Sequence, residues 1–181
     1  MKVVRLTLIV LIAMLLSTVA FAQSAAEKSF DKLKALSGVW EGKVTIDPPM
    51  ATSNHDGPLH VTLRTTSSGH ALMHEMASQG STDDPITMVY LDGGRLLLTH
   101  YCDAGNRPRM EGKISPDGKT VEFEVLDVAG SNEHEHMHHV TFTFIDADHH
   151  LEDWTFMIGD KAIHGHLELT RTADRSSGAK D

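Results

Sequence analysis

Ile86-Thr87-Met88-Val89-Tyr90-Leu91-Asp92-Gly93-Gly94-Arg95-Leu96-Leu97-Leu98-Thr99-His100-Tyr101-Cys102 decides the fold. Two apolar, β-prone runs flank Asp-Gly-Gly, the turn chemistry that joins adjacent antiparallel strands in a tight hairpin. The second run ends in His100, Tyr101 and Cys102. After a short polar loop, the chain returns through Arg107-Pro108-Arg109-Met110.

The same unit repeats in both directions. Alternating runs are predicted as strands near 39–46, 58–66, 70–78, 85–91, 95–102, 107–114, 119–127, 136–145, 150–158 and 161–171. Their separators include Ser67-Ser68-Gly69, Ser115-Pro116-Asp117-Gly118 and Asp146-Ala147-Asp148-His149. Connections this short require antiparallel neighbours, because a parallel crossover takes a dozen or more residues. So many antiparallel strands without a second helical layer must close or sandwich to protect their edges. The expected fold is all-β: an up-and-down antiparallel barrel of about ten strands, with a β-sandwich as the alternative.

One helix precedes the strands. Ser24-Ala25-Ala26-Glu27 has capping-box spacing, Phe30, Leu33 and Leu36 share a face, and Gly38 ends the period. This helix is expected to plug or cap one end of the barrel.

Upstream, Lys2 and Arg5 precede an apolar run from Leu6 to Leu16 and an Ala20-Phe21-Ala22 cleavage pattern, the organisation of a signal peptide over residues 1–22. The alternative, a membrane anchor, needs a longer run of about 20 residues. The domain is then 23–172, with a polar tail over 173–181. Export to the periplasm is expected, with outright secretion as the alternative and no membrane insertion after cleavage. Removing Lys2 and Arg5 takes the net charge from −9 to −11. That sign excludes general electrostatic binding to nucleic acid or an anionic membrane. A single cysteine cannot form an internal disulfide, so Cys102 is a free thiol, a ligand or an intermolecular partner.

In a meander, alternate connections lie at opposite ends. Those near 67–69, 92–94, 115–118 and 146–149 share one end and are tight. Those near 47–57, 79–84, 103–106 and 128–135 share the other and are longer, which is where binding sites usually sit. His100 and Cys102, Arg107 and Arg109, His136 and His138, and His164 all fall at that long-loop rim, with His55 and His134 on its loops.

Phe30-Asp31-Lys32-Leu33-Lys34-Ala35-Leu36-Ser37-Gly38-Val39-Trp40-Glu41-Gly42 resembles the opening of calycin-like barrels, in which a short helix leads to Gly-x-Trp at the first strand. The resemblance implies that Trp40 closes the barrel floor, with Gly38 beside it as a structural residue. Asp92 through Met110, with Trp154 and Phe156, resembles a largely uncharacterised family of exported bacterial lipocalin-like proteins. Nitrobindin-like and fatty-acid-binding-protein-like barrels share the ten-strand plan. The nitrobindin comparison implies haem held by a late-strand histidine, although no histidine here aligns with that ligand.

Thirteen histidines make metal the first chemistry to consider. Residues two apart on a strand share a face, so His100 with Cys102, and His136 with His138, could offer paired donors to zinc or copper. The bland readings are a solvated histidine-rich loop and a Cys102 buried as a small hydrophobe. Arg107 and Arg109 share a face near the rim and suit a carboxylate, either a ligand's or an intramolecular one such as Glu75. His70 and His74 alternate with Leu72 and Met76, so one of them is a candidate for the lumen, whereas His149-His150 reads as a turn. There is no Gly-x-Ser-x-Gly elbow and no glycine-rich phosphate loop.

The expected function is sequestration of a small apolar or amphipathic molecule in the lumen, met by His100, Cys102, Arg107, Arg109, Trp154 and Phe142. A metal or haem protein using His100, Cys102, His136 and His138 is the alternative. An enzyme at the same rim is a third class.

Overall fold

The computed structural model describes residues 23–49, 58–78, 81–130 and 134–172. The expected signal peptide, the tail and His55 lie outside these residues. Ten strands, β1 (Gly38–Asp47), β2 (Leu59–Thr66), β3 (Ala71–Ser78), β4 (Ile86–Asp92), β5 (Arg95–Tyr101), β6 (Arg107–Ile114), β7 (Thr120–Ala129), β8 (Glu135–Phe144), β9 (His149–Ile158) and β10 (Lys161–Arg171), form one antiparallel sheet. The sheet closes because β1 pairs with both β2 and β10. Closure leaves no edge strand and decides for the barrel over the sandwich.

Helix α1 (Ala25–Lys34) starts as the sequence predicts. The Ser24 side chain accepts from the Glu27 amide at 3.1 Å, and the Glu27 carboxylate accepts from the Ser24 amide at 2.7 Å. These two bonds satisfy backbone donors that the first helical turn leaves open. Phe30, Leu33 and Leu36 are buried in the barrel. The helix covers the tight-turn end, where the Lys32 ammonium lies 4.8 Å from the centre of the Phe144 ring at the close of β8.

Trp40 is fully buried beneath the helix and donates its indole N–H to the Leu36 carbonyl at 2.8 Å. Arg171, from the last strand, lies over the same ring at 4.1 Å and donates to the carbonyls of Ser37 at 2.8 Å and Ala147 at 2.9 Å. One guanidinium thus ties the helix exit, the β8–β9 turn and the end of β10 to the Trp40 floor. Gly38 is required beside it: its φ is +146°, and a side chain there would collide with the Arg171 guanidinium. At Gly42 a Cβ would run into the Glu168 carbonyl of β10, so the seam closes only without a side chain.

Inward positions alternate along each strand, and in the capped half they fill the lumen. Leu63, Leu72, Leu96, Val121, Phe123, Val140 and Phe142 are buried, and Phe142 meets Phe123 and Trp154 edge-on at 6.1 and 6.0 Å. A β-bulge interrupts the alternation in β8. Met137 lies opposite Phe156 and His139 opposite Thr155, with the register shifting between them. The extra residue flips the parity of everything before it. No helix among the described residues is long and apolar enough to cross a membrane.

Candidate functional site

At the long-loop end the inward residues stop meeting. Val44 and Ile46 of β1, Leu59 of β2, Met76 of β3, Trp154 and Phe156 of β9, and Ile163, Gly165 and Leu167 of β10 leave a cavity of about 200 Å³. A neighbouring space of about 320 Å³ shares Met76, Asp83, Pro85, Met137, Phe156 and Ile163 and adds His100, Cys102, Asp103 and Ile158. The walls are apolar and polar groups gather at the mouth, the arrangement typical of small-molecule sites. Trp154, only 4% exposed, separates this space from the filled half.

The bulge explains why Met137 reaches the cavity and His136 does not. Unbroken alternation from Val140 would turn His138 and His136 inward; with one extra residue, Met137 takes the inward place and His136 lies opposite Met157. His136 Nε2 and His138 Nδ1 are 3.1 Å apart on β8. They are therefore not brought to His100 and Cys102, and the expected four-residue metal set is corrected. Among the described residues, the three-donor group within 4.8 Å is instead Glu122, Glu124 and His139 on the outer face of β7 and β8. The histidines of β10 likewise turn outward. His164 meets the Thr155 hydroxyl at 3.1 Å and His166 meets Asp153 at 2.6 Å, while Ile163, Gly165 and Leu167 face the cavity.

The rim arginines are corrected for the same geometric reason. Pro108 and Met110 hold the inward places of β6, so Arg107 and Arg109 point to solvent. Arg109 pairs with Asp127 of β7 rather than with Glu75: its Nε donates at 2.9 Å and a terminal nitrogen makes a second contact. Phe142, expected as ligand lining, is packed below the cavity beneath Trp154.

His100 and Cys102 do face the lumen. His100 is 1% exposed, its Nδ1 lies 2.8 Å from the Thr87 hydroxyl, and its ring centre is 5.6 Å from that of Trp154. Burial first, and then the nearby His74, push its pKa down to about 3, so it is a neutral imidazole at physiological pH. Cys102 is half-buried at the mouth. Burial raises its pKa, a hydrogen bond from the Ala104 backbone opposes the rise, and Asp83 and Asp103 add to it, so the free side chain is a thiol rather than an activated thiolate.

The largest surprise lies behind Trp154. Glu152, fully buried on β9, receives the Trp154 indole N–H at 2.9 Å. His150 Nε2 lies 2.9 Å from one of its oxygens, and His74 Nε2 lies 3.1 and 3.0 Å from the two. Burial alone would raise the Glu152 pKa. The charge of His74 and the hydrogen bonds from both histidines outweigh it and hold the carboxyl well below the usual range. Three converging N–H donors suit an ionised carboxylate. Among the described residues, the buried Nδ1 atoms of His74 and His150 have no hydrogen-bond partner. This network fixes the indole at the cavity floor, and His150 also meets Trp40 edge-on at 4.1 Å.

Of His70 and His74, the two candidates for the lumen, the structure places His74 there, and the turn reading of His150 is corrected. His150, Glu152, Trp154 and Phe156 alternate along one face of β9. That spacing was available in the sequence, but a paired histidine after Asp-Ala-Asp reads as a turn. Arg171 was missed because nothing local distinguishes it from a surface arginine.

Fold and cavity together fit the class of calycin-like barrels. The comparisons with known proteins follow the fold and go no further. Rv2717c from M. tuberculosis superimposes with a TM-score of 0.58 at 12% identity, over 80% of this chain and 98% of that one. A protein of unknown function of the DUF3598 family, from Nostoc punctiforme PCC 73102, superimposes with a TM-score of 0.51 at 10% identity, over 77% of this chain and 49% of that one. No family model and no curated protein matches the sequence.

Proposed function

We propose that this protein is an exported barrel that reversibly takes up a small apolar or amphipathic molecule at its long-loop end. The observation that carries the reading is the apolar cavity between Trp154 and the rim, in a barrel whose lumen towards the capped end is filled by buried side chains, leaving there only a more polar groove beside the helix. Affinity would come from apolar surface leaving water, worth about 0.8 kcal/mol per buried methylene before the cost of association. Trp154, clamped by Glu152, offers a rigid face for a ligand to pack on. Export is supported by the residue pattern of positions 1–22. Intact-mass measurement of the cell-envelope fraction, expected to give a chain beginning at Gln23, tests that part.

The binding claim is tested with 1-decanol, followed by Trp154 fluorescence in a Trp40→Phe background. Saturable quenching is expected. Gly165→Leu should abolish it, because the nearest atoms to a Cβ at Gly165 belong to the Ile46, Val44 and Leu167 side chains, at 3.6 to 4.0 Å, and the longer side chain would occupy the cavity. Quenching that persists unchanged in a folded Gly165→Leu protein would place the site elsewhere.

A further inference from the structure

We propose that the open end selects an amphiphile with a cationic head, such as a long-chain amine, over a fatty acid of the same length. This rests on the ligand-binding reading above and names the class of ligand.

The mouth offers anions and a neutral imidazole to whatever enters. Asp83 borders both parts of the cavity and Asp103 the outer part. Asp83 is held in place: its amide donates to the Ser81 hydroxyl oxygen at 3.1 Å, the Ser81 hydroxyl donates to its carbonyl at 2.8 Å, and its Oδ1 accepts from the Asp103 amide at 3.1 Å. Its Oδ2 has no hydrogen-bond partner among the described residues. Burial, and then Asp103, raise the pKa of the Asp83 carboxyl, as for an anion short of a counter-ion.

His100 is the independent second observation. It is buried, it lines the outer space, and with Nδ1 engaged by Thr87 its Nε2 is the ring nitrogen left for the cavity. With Nδ1–H donated to the Thr87 hydroxyl, Nε2 accepts a hydrogen bond from an ammonium or a hydroxyl, and in neither tautomer does a neutral imidazole supply charge to a carboxylate.

Cations are missing where a fatty acid would need them. Among the described residues that border the cavity there is no lysine or arginine. The described parts of the connections at this end, 48–49, 81–85, 102–106 and 159–160, contain none either, while they carry Asp83, Asp84, Asp103 and Asp160. Arg107 at the start of β6 and Lys161 at the start of β10 are exposed at the outer edge, and neither borders the cavity. A carboxylate head in this mouth would face Asp83 with no opposing charge, whereas an ammonium would relieve it.

The test uses calorimetric titration of the purified chain with decylamine, decanoate and 1-decanol, in the wild type and in an Asp83→Asn, Asp103→Asn double variant. In the wild type, decylamine should bind about tenfold or more tighter than decanoate, with the ratio shrinking as salt is raised. In the double variant the ratio should fall towards unity, decylamine weakening and decanoate tightening; 1-decanol binding to that variant, at whatever affinity, shows that the cavity is intact. Decanoate binding as tightly as decylamine, or an amine preference that survives both substitutions, would overturn the proposal. If 1-decanol binds and the amine shows no advantage, this inference alone falls; if no decyl compound binds, the ligand-binding reading falls with it.

Discussion

The two ends of this barrel each hold a tryptophan, and the two are used in opposite ways. At the capped end Trp40 is enclosed by α1, His150 and the Arg171 guanidinium, and the connections are tight turns. At the open end Trp154 is clamped from behind by Glu152 and fronts a cavity rimmed by longer loops. The same strand alternation produces both halves. What separates them is what arrives to fill the lumen: a helix and a closing arginine at one end and, among the described residues, no side chain at the other. Stability is therefore expected to concentrate at the capped end, and the proposed binding at the open end.

Truncating the capped-end tryptophan is the severest way to break that division. Trp40→Ala should destabilise the fold by about 3–5 kcal/mol in urea unfolding. The 1-decanol affinity of the molecules that remain folded should change little. A comparable loss of affinity would mean that the two ends are coupled.

Acid probes the polar layer between the ends. An unfolded chain protonates His100 near pH 6.5, whereas the folded chain resists until about pH 3. Between those values the unfolded state holds the extra proton, so acidification destabilises the fold by up to about 1.4 kcal/mol per pH unit. Glu152, with its lowered folded pKa, adds a loss of stability only below the ordinary carboxylate range, as pH falls towards its folded value. Urea midpoints at about pH 7 and about pH 5 should therefore differ, and His100→Gln should flatten the difference; an unchanged slope would remove His100 from the account.

The smallest effect is expected outside the barrel. Arg109→Ala removes an exposed pair with Asp127 and should leave 1-decanol affinity unaltered, whereas a clear loss would return the rim arginines to the ligand.

Much of this architecture was legible because alternation and turn chemistry are local. The Asp92-Gly93-Gly94 hairpin, the Ser24–Glu27 capping box and the Gly38-Val39-Trp40 entry each announce themselves within a few residues, and the structure places all ten strands where their periodicity predicts. The site was legible only in part. His100 and Trp154 follow from alternation alone, and both reach the cavity. His136 and His138 did not, because a single extra residue in β8 reverses their faces, and no local composition marks it. Arg171 and the Glu152 network depend on partners far away in sequence: Arg171 on Ser37, and Glu152 on His74. Pairings at that separation are created by barrel closure, so strand-by-strand reading does not contain them.

The central claim, that the open end holds the ligand and the capped end does not, is tested most directly at three methionines. Met76 and Met137 line the cavity, and Met110 is buried in the packed interior. With methyl-labelled methionine, titration with 1-decanol should shift the Met76 and Met137 resonances saturably and leave Met110 in place. Saturable shifts at Met110 without shifts at Met76 and Met137 would contradict the account.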